Sequence, residues 1–265
     1  MDLFSVRSLL FLPASNPRAI EKARGLNVDL VILDLEDAVK PTDKDAARRA
    51  ATEAASCEWR VPLGIRVNGE GTDWHRQDVD AVRGSAADLL VIPRTHSAKL
   101  VGGVRETAGK PVLAMVETAA GVLASAEIAR EAAALIAGTN DLRADLRLPF
   151  DAGRGPISAS LQLMLLAARA AAIPAFDGVF NKLTDEEGFE AECRDGRGLG
   201  FDGKSLIHPS QIEACNRIFG PSDAELERAR KLVAAFDGGA ARFEDEMIER
   251  MHVEAARRVL ERAKP

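Results

Sequence analysis

Short apolar runs recur along the chain, and each stops at a charged residue or a proline. Leu9-Leu10-Phe11-Leu12, Leu30-Val31-Ile32-Leu33, Leu89-Leu90-Val91-Ile92 and Val112-Leu113-Ala114-Met115-Val116 are too short for helices and suit strands buried on both faces. In chain order the pattern predicts strands over Ser8 to Pro13, Leu30 to Leu33, Pro62 to Val67, Asp88 to Ile92, Pro111 to Glu117, Leu135 to Asp141, Ala175 to Phe180 and Lys204 to Ile207. Between them lie segments of helical length: Arg18 to Arg24, Lys44 to Ala55, Trp74 to Arg83, Ser97 to Thr107, Gly121 to Ala133, Ser158 to Ala172, Glu186 to Gly198 and Pro209 to Phe219. Strands that alternate with helices in this way imply an all-parallel sheet. Eight such units imply an α/β fold of the closed (β/α)8 TIM-barrel type, with its chemistry at the carboxyl ends of the strands. An open doubly wound sheet would show a Gly-rich phosphate loop after the first strand, and Pro13-Ala14-Ser15-Asn16 is not one. The barrel is expected to occupy residues 1–220. Residues 221–265 are expected to form a C-terminal helical extension, with helices over Asp223 to Ala235 and Glu244 to Ala263 and a flexible point at Gly238-Gly239.

The chain has 265 residues, 46% of them hydrophobic, enough for one large core. A net charge of −6 argues against a nucleic-acid binder. No apolar run is long enough to cross a membrane, and the start, Met-Asp-Leu-Phe-Ser-Val-Arg, is not a secretory signal. Cys57, Cys193 and Cys215 are widely spaced and odd in number. They read as reduced thiols of a cytoplasmic protein rather than a disulfide framework or zinc site. The chain has no tyrosine, so no mechanism can use a phenol.

The fifth and sixth strands end at Glu117 and Asp141, one βα repeat apart. Two carboxylates converging at the barrel mouth, with water in the remaining positions, suit Mg²⁺, a hard ion that prefers oxygen; Mn²⁺ could take its place. The alternative is that both simply cap the helices that follow. The other strand ends present Phe11-Pro13, Asp34-Glu36-Asp37, Arg66-Asn68, Pro93-Arg94, Phe180-Asn181 and His208. Each has a structural reading of its own: Glu36-Asp37 as a helix cap, Arg66 as the partner of Glu36, His208 as a helix-start residue. Together they are dense in charge for an apolar barrel, as working sites are. A metal on two carboxylates leaves room for a chelating 2-oxo acid, whose carboxylate Arg66 can clamp bidentately. Lewis-acid activation of such a carbonyl supports making or breaking the adjacent carbon–carbon bond.

Five motifs occur in order: Leu33-Asp34-Leu35-Glu36-Asp37-Ala38-Val39, Arg66-Val67-Asn68, Val116-Glu117-Thr118, Gly138-Thr139-Asn140-Asp141-Leu142, and Gly200-Phe201-Asp202-Gly203-Lys204 with Ile207-His208-Pro209-Ser210-Gln211. Together they resemble the citrate lyase β-subunit-like acyl-CoA lyases of the HpcH/HpaI aldolase superfamily. The resemblance implies a Mg²⁺-dependent barrel that works as a homotrimer or hexamer. It also implies reversible cleavage of a 3-hydroxy-3-carboxylic acyl-CoA such as citryl-, malyl- or citramalyl-CoA. By the same resemblance, Glu117 and Asp141 are metal ligands and Arg66 holds the substrate carboxylate. Gly138, Thr139 and Asn140 line the substrate side, and Glu36 and Asp37 hold water around the metal. Phe11 and Lys22 contact coenzyme A, with Ser15 and Arg18 beside them. Arg18, Lys22 and Arg24 would give an acidic protein the local patch an anionic cofactor needs; the other reading is a solvated helix face.

The chain departs from the family in three places. Asn16 stands where the first loop often carries Arg, and Arg94 where Lys is common. The C-terminal lid motif, roughly Met-Ile-Asp-x-Pro-His, reads Met247-Ile248-Glu249-Arg250-Met251-His252. In the family's trimer this lid covers a neighbour's site and its Asp is the acid/base. Glu249 would take that role here, or it is a solvated helix residue. Three functions follow: a Mg²⁺-dependent acyl-CoA lyase, a thioesterase acting on the same substrates, or a metal-dependent 2-oxo-acid binder without turnover.

Overall fold

The computed structural model describes residues 1–263, apart from the side chain of Ala241. Lys264 and Pro265, the end of the expected extension, lie outside the described residues. The barrel strands are β1 (Ser8–Pro13), β2 (Leu30–Asp34), β3 (Leu63–Arg66), β4 (Leu89–Ile92), β5 (Val112–Val116), β6 (Ala134–Ala137), β7 (Ala175–Asp177) and β8 (Gly203–Leu206). All pair in parallel and in sequence order, and β1 also pairs with β8, so the sheet closes and has no open edge. The helices around it are α1 (Pro17–Ala23), α2 (Lys44–Ala55), α3 (His75–Arg83), α4 (Ala98–Ala108), α5 (Ala119–Leu123), α6 (Ser125–Glu131), α7 (Thr139–Asp145), α8 (Ser158–Ala170), α9 (Glu186–Leu199) and α10 (Ile212–Phe219). This is the expected (β/α)8 barrel.

The continuous apolar runs are explained by two cores, one on each side of the sheet. Leu30 and Ile32 of β2 face inward with Leu9, Phe11, Val91, Met115 and Phe176. Val31 and Leu33 face outward against the helices. Gly64 sits at a tight inner position, where a Cβ would lie 2.3 Å from Leu89 Cδ1 and 2.7 Å from Ile32 Cδ1.

Two local expectations change. The single helix expected over Gly121 to Ala133 is broken at Ala124 into α5 and α6. Asp141 is not at the end of a strand: β6 stops at Ala137, and Asp141 lies in the first turn of α7, where a carboxylate is favoured by the helix dipole.

Charge is also buried outside the barrel, between β7, β8 and α9. Lys204 Nζ is 2.9 Å from Asp177 Oδ2 and 2.8 Å from Glu192 Oε1, and Arg154 Nη2 is 2.8 Å from Asp177 Oδ1. Lys204 and Asp177 are fully buried. Burial alone would raise the Asp177 carboxyl, but Lys204 and Arg154 outweigh it and hold it below its ordinary range. Removing one member of such a group leaves a stranded charge, at a cost of about 3–5 kcal/mol. Asp177→Ala is therefore expected to lose a large part of the chain's stability. A shift in urea midpoint comparable to that of an exposed charge substitution would contradict this.

The tail differs most from expectation. α11 (Asp223–Ala235) is followed by a hairpin of β9 (Ala241–Phe243) and β10 (Glu246–Ile248), then by α12 (Arg250–Glu261). The helix expected from Glu244 thus begins six residues later, because a two-residue turn at Glu244-Asp245 reverses the chain, with Glu244 at φ 54°. Met247 and Ile248 lie on the hairpin, not on a helical stripe. Ile248, Val253 and Ala256 are buried against Ala229 and Leu232 of α11, whereas Met247 and Met251 are exposed. Arg262 fixes the end of α12 to the barrel, donating to the carbonyls of Asp202 at 2.6 Å and Phe219 at 3.2 Å. Among the described residues no helix is long and apolar enough to cross a membrane.

Candidate active site

A cavity of about 340 Å³ opens at the carboxyl ends of the strands. Phe11, Asp37, Arg66, Glu117, Gly138, Thr139, Asn140 and Asp141 all line it. The structure thus gathers most of the expected site residues, from five different strand ends.

Arg66 is 9% exposed and held on three sides. Its Nε and Nη2 donate to Asp34 Oδ1 and Oδ2 at 2.7 and 2.6 Å. Its Nη1 lies 2.9 Å from Glu36 Oε2 and 3.7 Å from the Met115 sulfur. The guanidinium also stacks over Phe11, 5.3 Å from the ring centroid. Asp34 and Arg66 are direct register partners on β2 and β3, which puts their side chains at one level. The fork expected for a substrate thus has its Nε/Nη2 edge committed to Asp34 and its Nη1 drawn to Glu36, so a ligand on the remaining edge would share Nη1 with that carboxylate. Asp34 also accepts from the backbone N–H groups of Glu36 and Ala38 at 2.9 and 3.1 Å. Lys44, buried, donates to the carbonyls of Leu35 and Glu36 and to Asn68 Oδ1 at 2.6–2.7 Å. The acidic loop is therefore built onto a fixed frame. Burial pushes the Glu36 carboxyl up to about 7, with Asp37, Asp34 and Asp141 adding to the rise and Arg66 opposing it.

Glu117 directly follows β5 and is 3% exposed. It accepts the backbone N–H of Arg94 at 2.5 Å. Arg94 presents that N–H from a left-handed backbone at φ 47°, a conformation that costs energy in a non-glycine residue. Burial raises the Glu117 carboxyl to about 8; Asp141 and Glu36 add to the rise, while the Arg94 N–H and Arg66 oppose it. Gly138 makes this packing possible, since a Cβ there would lie 2.3 Å from Glu117 Oε2. Asp141, more exposed, pairs with Arg94 Nη1 at 3.4 Å. Asn140 and Asn181 exchange hydrogen bonds at 3.3 and 2.8 Å.

These donors fit a hard divalent cation. Glu117 is a carboxylate forced into a dry position beside two others, and a bound cation removes that penalty. Among the described residues no point gathers three ligating side chains. Glu117 and Asp141 would be the protein ligands, with water and substrate oxygens completing the shell.

Other expected residues stay away from the cavity. Ser15, Arg18 and Lys22 are exposed on or before α1. Arg24 pairs with Glu21 at 3.1 Å. Asn16 caps α1, its Oδ1 accepting from Ala19 N–H at 3.1 Å. His208 accepts from Ser210 N–H at 3.2 Å, as a helix-start residue does. Glu249 caps its own helix, α12, and does not line the cavity of its own chain. Sequence reasoning overlooked Asp34 as the residue that orients Arg66, Lys44 as the post under the acidic loop, and Ser205, which lines the cavity. Only Asp34 gave a signal, as the first carboxylate of a strand-end cluster.

The HpcH/HpaI aldolase/citrate lyase family model matches residues 7–209, and one described as a C–C bond lyase of the TIM-barrel fold matches residues 161–265. A (3S)-malyl-CoA thioesterase of Cereibacter sphaeroides (strain ATCC 17025 / ATH 2.4.3) is 44% identical over 97% of this chain and 94% of its own. Citrate lyase subunit beta of Escherichia coli (strain K12) is 32% identical over 97% and 93%. The crystal structure of CitE from Mycobacterium tuberculosis in complex with magnesium, acetoacetate and coenzyme A aligns with a TM-score of 0.85 at 34% identity. It covers 98% of this chain and 99% of that one.

Proposed function

We propose that this chain, which belongs to the HpcH/HpaI aldolase/citrate lyase family, is a Mg²⁺-dependent enzyme of short 3-hydroxy-3-carboxylic acyl-CoA thioesters, and that it hydrolyses a malyl-CoA-type substrate to the free acid and coenzyme A. The observation that carries the reading is the buried Glu117, set with Asp141 and Arg66 around one cavity. Glu117 and Asp141 would hold the metal, which when bound supplies Lewis-acid polarisation of the oxygens it contacts. Arg66, oriented by Asp34, binds the acyl carboxylate through its remaining edge. Glu36 and Asp37 orient water. The Gly138–Asp141 turn lines the acyl group, and the thioester arm leaves past Phe11 toward Ser15, Arg18 and Lys22. A cavity of about 340 Å³ suits the acyl end alone, so the coenzyme A moiety would lie on the outer surface. Residues 1–220 form the catalytic barrel in this reading. Residues 221–265 cover a neighbour's site in a homotrimer or hexamer in the cytoplasm, with Glu249 as the group delivered.

Hydrolysis is favoured by the 44% identity to the malyl-CoA thioesterase. A second reading, carbon–carbon cleavage to a 2-oxo acid and an acyl-CoA, is favoured by the likeness to citrate lyase subunit beta and to a citrate lyase beta subunit complexed with oxaloacetate and magnesium. The two differ in products. Hydrolysis of (3S)-malyl-CoA consumes one water and yields malate and free thiol in equal amounts. Cleavage yields glyoxylate and acetyl-CoA with no free thiol. A Mg²⁺ assay that follows all four products is expected to show malate and thiol. Glyoxylate with acetyl-CoA would replace that reading with cleavage. No product, with Mg²⁺-dependent 2-oxo-acid binding retained, would leave a binder.

A further inference from the structure

Along β8 the side chains alternate. Lys204 points out to Asp177 and Glu192, and Leu206 points out into the helix-facing core. Ser205 between them points in, level with Leu9 of β1. It is 1% exposed, and its hydroxyl has no hydrogen-bond partner. Its inward neighbours form an apolar layer, in which an alanine would pack without cost. A buried hydroxyl left unpaired costs roughly 1–3 kcal/mol, and such an exception in a well-packed layer calls for an explanation. Ser205 also lines the cavity that Arg66 enters, together with Phe11 and Met115. Its oxygen therefore stands at the floor of the acyl pocket, where a ligand is the partner missing from the protein.

We infer that Ser205 is a specificity contact of this site, its hydroxyl donating to the acyl carboxylate that Arg66 holds. The inference rests on the reading of the cavity as an acyl-carboxylate site. The chemistry is complementary. A carboxylate offers about four lone-pair positions. Arg66 can fill two of them at most, because Asp34 occupies its other edge. A hydroxyl approaching from below fills a third without adding charge. Ser205 also leaves the floor small, so a bulkier acyl end would not displace it without losing the bond.

The test is Ser205→Ala, with three readings: calorimetric titration of oxaloacetate in excess MgCl2, titration of MgCl2 alone, and ligand-free thermal unfolding. The expected result is a ten- to hundredfold loss of oxaloacetate affinity, the range for a hydrogen bond to a charged group. Affinity for Mg²⁺ alone should be unchanged, and the unfolding temperature equal or higher, because an unpaired hydroxyl has been removed. Unchanged oxaloacetate affinity would overturn the contact while leaving the proposed function standing. A clear fall in unfolding temperature would also overturn it, since the hydroxyl would then have a partner within the protein. If the parent chain binds no oxaloacetate with Mg²⁺, the acyl-carboxylate reading fails and this inference fails with it.

Discussion

Glu117→Gln is expected to abolish Mg²⁺ binding and slow thioester turnover roughly a thousandfold or more, while making the metal-free protein more stable. The loss follows from removing one of the two carboxylates, Glu117 and Asp141, proposed to hold the metal. Charge stabilisation of several kcal/mol goes with the metal. The gain follows from burial. Glu117 ionises only with difficulty, its carboxyl being pushed from an ordinary 4.5 to about 8. Between those values the folded chain holds a proton that the unfolded chain has released, so metal-free stability falls as pH rises through this window. Glu36, raised to about 7, adds to the same trend over the lower part of it. Near pH 8 the Glu117 penalty is on the order of 4 kcal/mol. Glutamine has no proton to lose and keeps an oxygen for the Arg94 N–H. Thermal unfolding from pH 5 to 8 should show a falling profile for the parent and a flatter, higher one for the variant. In the parent, Mg²⁺ should raise stability most at the alkaline end, because binding competes with the proton. A variant that still gains stability from Mg²⁺ would remove Glu117 from the metal site.

Changes at Arg66 are expected to separate charge from shape. Arg66→Ala strands the 1%-exposed Asp34 and the partly buried Glu36 and should cost about 3–5 kcal/mol of stability, enough to threaten a fold whose total is about 5–15 kcal/mol. Arg66→Lys keeps the charge but cannot reproduce two parallel bonds to Asp34 or the face-on contact with Phe11. It should fold, with oxaloacetate affinity lowered by about 2–5 kcal/mol. Asp34→Asn is the informative companion. It leaves Arg66 in place but loosens it, so affinity should fall while Mg²⁺ binding persists. Full oxaloacetate affinity in Arg66→Lys would mean that a point charge suffices and that the fork held by Asp34 has no role in recognition.

Much of the site was legible because it obeys local rules. A parallel strand buried on both faces is mostly apolar, Lys204 and Ser205 of β8 being exceptions, so the charged residues that end the apolar runs of β2, β3 and β5 mark the barrel mouth. That is why the position of Glu117, Arg66 and the Asp34–Asp37 cluster is legible in the sequence alone. Asp141 was assigned to the right end of the barrel but the wrong element, because Gly138-Thr139-Asn140 reads equally well as the end of a strand or the start of a helix. The tail was misread for a related reason. Glu244-Asp245 carries no glycine, so nothing in the sequence marks the hairpin turn that Glu244 makes at φ 54°.

The sequence by itself determined the eight βα units, the end of the barrel where charged residues gather and the two carboxylates proposed to hold a metal. Each of these depends on the spacing of apolar residues along one segment, which the chain carries locally. Tertiary structure alone decided that Asp34 holds Arg66 from the neighbouring strand, that Lys44 supports the acidic loop, that Gly138 gives Glu117 its room, and that Ser205 faces inward with its hydroxyl unpaired. Those contacts depend on the register between strands and on closure of the sheet. A shift of one residue in its strand would turn Asp34, Arg66 or Ser205 to the opposite face, and no single segment holds the information that fixes it.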